Sequence, residues 1–303
     1  MAESGFDIGE IGGHVKDGTA FHVPRILWEQ LPEAWKGPRP HAGSIPLPSW
    51  DLGPWDFFGY HVPAYHFQLT KFMVLEVVAA ALMVLVFVPL AWRIRRGNRP
   101  RGLVWNFFEV MLVFIRDQVA RPAIGRRDAD RFLPFLWNVF FFVLFCNLLG
   151  LVPWAGSPTG ALAVTGTLAA IAFCATVGSG MAQHGALGYW LGMSPPMEAP
   201  LAVGILLKPM LGVLEVVGLC VKHGVLAVRL LANMFAGHLV LFVIISFIKA
   251  AAGSGLFLWT GVTIGSVLGA VALSVLELLV AFLQAYIFVF LSAVFIGMAV
   301  HQH

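Results

Sequence analysis

The sequence predicts an all-α integral membrane protein: about five membrane helices plus one interfacial helix, the last two long, steeply tilted and paired as a hairpin. Three observations carry this. Hydrophobic residues make up 59% of the 303 and charged residues only 12%, against roughly 25% charged in a soluble domain. Mean hydropathy is +0.83, so lipid rather than water is the main solvent. Apolar runs of about 20 residues, the length that crosses a hydrocarbon core of about 30 Å as helix, recur from residue 67 onward.

Residues 1–66 supply no such run. They are rich in Pro, Gly, Trp and His and form an extramembrane arm with interfacial Trp residues, leaving 67–303 as the membrane domain. The arm's His14, His22, His41, His61 and His66 show no regular ligand spacing, so solvated or capping histidines are expected and no metal. The first ten residues carry three acids and no basic stretch, unlike a signal or transit peptide. Cys146, Cys174 and Cys220 stand inside apolar runs without CxxC or Cys/His spacing. They are expected to be small buried hydrophobes, with no redox role.

The first span covers 67–92 and stops at Arg93, Arg95 and Arg96. Residues 93–131 hold ten of the 19 Lys and Arg. By the positive-inside rule this connection is cytoplasmic, which puts the N-terminal arm outside and, after five spans, the C-terminus in the cytoplasm. Basic residues beside apolar spans, rather than among exposed aromatics, argue against nucleic acid as a partner. Within the connection, 103–120 is apolar but interrupted by Glu109, Arg116 and Asp117, the pattern of a helix lying at the interface. Spans at 132–154 and 161–183 follow, joined by the turn Gly156-Ser-Pro-Thr-Gly160, and 184–199 is a loop containing Pro195 and Pro196.

Residues 200–250 and 256–300 are then almost continuously apolar. A helix of about 50 residues is about 75 Å long, far longer than the bilayer is thick. Each run is either two spans or one long tilted helix. Neither has a polar turn at its middle, which favours two tilted helices. No other internal repeat stands out, against the inverted-repeat transporters.

Ionisable residues at membrane depth are costly and point to function. Lys208, Glu215, Lys222 and Arg229 follow one another at intervals of seven, which returns each to nearly the same helix face with a drift of about 20°. The stripe must face protein or water. For the lysines, an ion-pair ladder with Glu215 competes with a functional role. Arg229 has no acid within one helical turn and stays charged at any accessible pH, so its counter-charge comes from another span or another chain. Asn233 lies one turn on, and His238, nine residues beyond Arg229, points to nearly the opposite face. In the last run Glu277 and Gln284 are again seven apart. A His/Glu pair with polar neighbours suits a proton relay; a satisfied structural contact is the competing reading.

These residues carry a family resemblance. Val228-Arg-Leu-Leu-Ala-Asn-Met-Phe-Ala-Gly-His238 resembles the Arg-Leu-x-x-Asn-Met-x-Ala-Gly signature of F-type ATP synthase subunit a. Glu277-Leu-Leu-Val-Ala-Phe-Leu-Gln-Ala-Tyr-Ile-Phe288 is similar to that family's last-helix motif, and Asn147-Leu-Leu-Gly-Leu-Val-Pro153 to its Asn-Leu-x-x-Leu-x-Pro element. The likeness runs in order through about 67–300, and the arm matches least.

The resemblance implies a multi-pass stator subunit in a bacterial inner membrane, not catalytic alone but part of the proton-translocating ATP synthase. Its implied partners are a ring of c subunits bearing membrane carboxylates, the peripheral-stalk b subunits, the lipid bilayer and the translocated protons, with no cofactor. Arg229 would pair in turn with each ring carboxylate and separate two offset half-channels. Asn233, His238, Glu277 and Gln284 would belong to the outer one and Glu215 to the inner one, with Lys222 and Asn147 in support. Along the helix Glu215 is about 21 Å to the inner side of Arg229 and His238 about 13 Å to the outer side. Family members differ in which relay position holds His and which Glu, and some have an acid where this chain has Gly150. The competing classes are a secondary transporter, a membrane-embedded enzyme and a self-contained channel. Two similar halves and an HExxH-type cluster are both missing from the sequence. His238 and Glu277 favour a proton over sodium as the ion.

Overall fold

The computed structural model describes residues 20–22, 44–52, 55–57, 60–62, 65–96, 102–152, 156–192, 201–253 and 255–301. Strands β1 (Ala20–His22), β2 (Ser44–Pro46), β3 (Ser49–Leu52), β4 (Trp55–Phe57), β5 (Tyr60–Val62) and β6 (Tyr65–Gln68) lie in the arm. They pair antiparallel as β1–β2, β3–β6 and β4–β5. These ladders are a departure from the sequence reading. They are short because Pro and Gly punctuate the arm every few residues. The arm histidines other than His22, His61 and His66 lie outside the described residues.

The helices follow as α1 (Lys71–Arg95), α2 (Leu103–Phe114), α3 (Arg121–Ile124), α4 (Ala129–Gly150), α5 (Leu162–His184), α6 (Ala186–Gly192), α7 (Leu201–Ala250) and α8 (Leu256–Val300). Five of them (α1, α4, α5, α7, α8) are long and apolar enough to cross a membrane. The two long runs are single helices of 50 and 45 residues, joined through a 3-10 turn at Ala251–Gly253. Within the interval 184–199 expected as loop, Gly185, at φ 77°, lets the chain leave α5 and restart as α6, and 193–199 lie outside the described residues. Cys146 is buried, but Cys174 and Cys220 are exposed, correcting the expectation that all three are core residues. In a membrane chain a lipid-facing position is as apolar as a buried one, so an apolar run does not separate them.

The chain divides into two compact units. The first comprises residues 1–82, 146–161 and 234–278. Its polar knot is built on Asn147, fully buried at the end of α4. The Thr159 hydroxyl donates to Asn147 Oδ1 at 2.8 Å, so the Ser157 hydroxyl, 2.9 Å from Thr159 Oγ1, donates to Thr159. This ties the turn at 156–160 to the helix. A Cβ at Gly150 would lie 2.6 Å from Ser157 Oγ and 2.9 Å from Met234 Cε, so the site has no room for the acid found there in some family members.

The second unit comprises 83–145, 162–233 and 279–303. Phe87 of α1 and Phe108 of α2 meet Phe141 of α4 at centroid distances of 4.4 and 6.1 Å, and the Trp137 indole N–H donates to the Leu112 carbonyl at 3.1 Å. Basic residues at this end lean on aromatic faces, Arg93 over Trp105 at 5.1 Å and Arg96 over Trp92 at 3.4 Å. After α2 the helix widens into a π-helical turn over Ile115–Ala120. There the Asp117 carboxylate accepts from Arg116 at 3.0 Å and from Arg121 at 2.7 Å. The Arg116 hydrogen bond, helped by the charges of Arg116 and Arg121 against partial desolvation, holds the Asp117 carboxyl below its ordinary value. Gly297 of α8 is packed so closely on the Ala123 carbonyl that a side chain there would collide with backbone.

Candidate functional site

The sequence-predicted residues fall on both long helices. Glu215, Lys222, Arg229, Asn233 and Gln284 belong to the second unit, His238 and Glu277 to the first. Helix α7 keeps one register from residue 201 to 250, so the seven-residue spacing of Glu215, Lys222 and Arg229 does place them along one stripe. The side chain of Lys208 lies outside the described residues. Lys222 Nζ is 3.9 Å from Glu215 Oε1, both side chains about half exposed at 42% and 52%. This is one rung of the expected ion-pair ladder, at the long end of ion-pair distance.

Arg229 is half-buried, and its Nε and Nη2 are buried with no hydrogen-bond partner among the described residues. One turn on, Asn233 Nδ2 donates to Gln284 Oε1 at 2.6 Å, joining α7 to α8 inside the second unit. Gln284 is 2% exposed, and its Nε2 has no partner among the described residues. Tyr189 of α6 lies 1% exposed in a cluster with Val177, Leu219 and Ala299. Burial first, then the negative charge of Glu215, pushes its phenol up.

In the first unit the Glu277 carboxylate lies directly over Gly237, against the space a Cβ would fill. Only glycine allows this approach. His238, the next residue, is half-buried, with Nε2 buried and without a partner among the described residues. Among the described residues no hydrogen bond joins His238 to Glu277. A Cβ at Gly269 of α8 would lie 3.7 Å from Ile244 Cγ2 of α7, and with Glu277 over Gly237 this gives α7 and α8 an antiparallel pairing in the first unit.

Asn147 Oδ1 accepts from the Thr159 hydroxyl of the turn. A polar residue that sequence reasoning missed is His223, 3% exposed on α7. It sits six residues before Arg229, off the charged stripe, so a search by sevens does not meet it.

The chain matches the family model of the ATP synthase A chain over residues 73–297. It is 40% identical over 239 residues to ATP synthase subunit a of Myxococcus xanthus, covering 78% of this chain and 75% of that one. Against subunit a of Chloroherpeton thalassium the identity is 38% over 263 residues, 85% of this chain and 71% of the relative. With that of Anaeromyxobacter dehalogenans strain 2CP-C it is 35% over 295 residues, 96% and 70%.

Proposed function

The chain belongs to the ATP synthase subunit a family, the proton-translocating stator subunit of the membrane sector Fo, and on that premise we propose that Arg229 separates two offset half-channels. It is a multi-pass membrane protein, and membership implies Fo partners such as the c ring. In the proposed arrangement residues 1–66 are an extracytoplasmic arm, 67–303 the membrane domain with the helix over 103–120 at the interface, and the C-terminus is cytoplasmic. The tilted pair α7 and α8 lies against the ring, and the b subunits of the peripheral stalk hold the stator.

One observation carries the assignment of roles. Five buried side-chain nitrogens are without a partner among the described residues, and four of them belong to Arg229, His238 and Gln284. Leaving a buried donor unpaired costs about 1–3 kcal/mol. A fold tolerates such groups where the partner arrives and departs during function. For Arg229 the partner is the ring carboxylate. Its charge repels protons and its fork pairs with each arriving carboxylate, so no proton passes directly between the half-channels. Glu277, His238, Asn233 and Gln284 conduct on the outer side and Glu215 on the inner side. Lys222 moderates the charge of Glu215, and Asn147 supports the turn between α4 and α5. Each proton falling through about 100 mV releases about 2.3 kcal/mol, which a ring accumulates over several steps.

The test is ATP-driven acidification of inverted membrane vesicles carrying Arg229→Ala, with a blot for assembled complex. Assembly with loss of pumping supports the reading. Unchanged coupled pumping refutes it.

A further inference from the structure

His223 is enclosed by three helices of the second unit. Its Nδ1 lies 2.9 Å from the Leu219 carbonyl, which only accepts, so Nδ1 carries a proton. Its Nε2 lies 3.3 Å from Thr176 Oγ1 on α5, and that hydroxyl is also 2.9 Å from the Ala172 carbonyl. Phe173 of α5 stands perpendicular to the imidazole at 5.3 Å, and Phe295 of α8 lies at 4.8 Å.

This arrangement is complete in two protonation states. With the ring neutral, the Thr176 hydroxyl donates to Nε2. With the ring charged, Nε2–H donates to Thr176 Oγ1 and the hydroxyl turns to the Ala172 carbonyl. No donor is orphaned in either state, and the aromatic faces accept a cation. The Asn147 knot, by contrast, has one fixed pattern and nothing to titrate. The charged group beside His223 on its own helix is Lys222, engaged with Glu215. The contacts from α5 (Phe173, Thr176) and from α8 (Phe295) are uncharged.

A cavity also comes within one helical turn of Thr176 along α5. A cavity of about 230 Å³ is lined by Asp128, Arg131, Gln183 and Ser179 among others. Ser179 donates to the Thr176 carbonyl at 2.7 Å and sits one turn, about 4.5 Å, along α5 from it. The cavity lies at the start of α4 and the ends of α5 and α8, which in the proposed topology is the cytoplasmic side.

We propose that His223 is a further proton-holding group on the inner side of Arg229, loaded and unloaded at Nε2 from the cavity at Ser179, with the Thr176 hydroxyl as its rotor. This rests on the reading of Arg229 as the divider. In loading, an O–H bond of hydronium breaks, Nε2–H forms, water remains, and the Thr176 hydrogen moves to the Ala172 carbonyl. Unloading reverses each change, so the protein returns to its starting state.

The test uses the full complex in inverted vesicles, whose cytoplasmic face is in the bath. Acidification rate per assembled complex is read from about pH 5.5 to 8.5, around the ordinary imidazole value of about 6.5. A positioned acid–base group contributes roughly 10²–10⁴-fold, of which water in the cavity recovers part. His223→Gln is therefore expected to slow pumping about tenfold or more and to remove the bath-pH inflection. Thr176→Val, which orphans Nε2–H, moves the inflection to lower pH, and Thr176→Ser restores it. A wild-type rate and profile in His223→Gln overturns the inference. So does a loss of assembly with unchanged rate per complex. Should His223→Gln not assemble, an unmoved inflection in Thr176→Val overturns it instead. Arg229→Ala in the same series separates the premises: normal pumping there removes the divider reading, whereas its loss beside a normal His223→Gln removes only this inference.

Discussion

Replacing Gly237 by alanine isolates the position of one carboxylate from the stability of the helices that hold it. The added Cβ would occupy the place of Glu277 Oε1 and approach Glu277 Cδ to 3.1 Å and Cγ to 3.3 Å. The obstructing group is the far end of a flexible side chain, so it swings aside. A side chain forced off its rotamer loses about 0.5–1.5 kcal/mol. Alanine in place of glycine within a helix returns about 0.8–1.0 kcal/mol. The two nearly cancel, and assembly is expected to change little. Transport is expected to change greatly, because a misplacement of about 1 Å at a reacting group can cost about 10²-fold. The assay is ATP-driven acidification of inverted vesicles, normalised to assembled complex by blot. Gly166→Ala on α5, where a Cβ meets nothing within 4 Å, is the control and should pump normally. Wild-type pumping in Gly237→Ala would show that the Glu277 carboxylate is not on the path. Loss of assembly would show that the cancellation is wrong.

Three further outcomes are expected. Asp117→Asn removes the carboxylate shared by Arg116 and Arg121. A carboxyl whose folded value is depressed stabilises fully above its ordinary value of about 3.9 and loses that contribution as pH falls through the folded value. Faster hydrogen exchange over 103–124 is therefore expected at pH 7, with the difference from wild type vanishing in acid; an equal difference at both pH values would refute the ion-pair account. Gly180→Ala drives a methyl into the ring of buried Tyr189, and overpacking of this kind costs about 1–3 kcal/mol, which a lowered melting temperature of the complex would report. Asn147→Leu leaves the buried Thr159 hydroxyl without its acceptor, at about 1–3 kcal/mol. Less assembled complex with an unchanged rate per complex is expected, and the reverse would move Asn147 onto the proton path.

What was legible follows from how each signal is written in the chain. The single-helix nature of α7 and α8 could be read because a reversal inside lipid needs a polar turn, and neither run has one. Arg229, Asn233, Glu277 and Gln284 could be read because a charged or amide side chain stands out against Leu, Val and Phe. Their pairing could not be read in full: the bond between Asn233 and Gln284 and the seat of Glu277 on Gly237 depend on how two helices meet. The arm ladders escaped because strands of three or four residues are too short for alternation to show. Helix α6 escaped because its seven residues make barely two turns, with Gly188 inside.

Satisfied and unsatisfied polar groups are the sharper guide to which membrane-depth residues move protons. A polar side chain in the apolar interior persists if it is bonded on every side or if it meets its partner in the course of the reaction. The Thr159–Asn147 bond is of the first kind: the Thr159 hydroxyl hydrogen has one destination, and a substitution there is expected to disturb folding. Arg229, His238 and Gln284 hold buried nitrogens without a partner among the described residues, and in the proposed reading they are of the second kind. His223 belongs to neither kind, since its hydroxyl partner satisfies it both with and without the extra proton. Burial alone does not separate these three cases, because Asn147 at 0%, Gln284 at 2% and His223 at 3% exposure are equally hidden. The hydrogen count does: one pattern at the Thr159–Asn147 bond, open donors on Arg229, His238 and Gln284 among the described residues, and two complete patterns at His223.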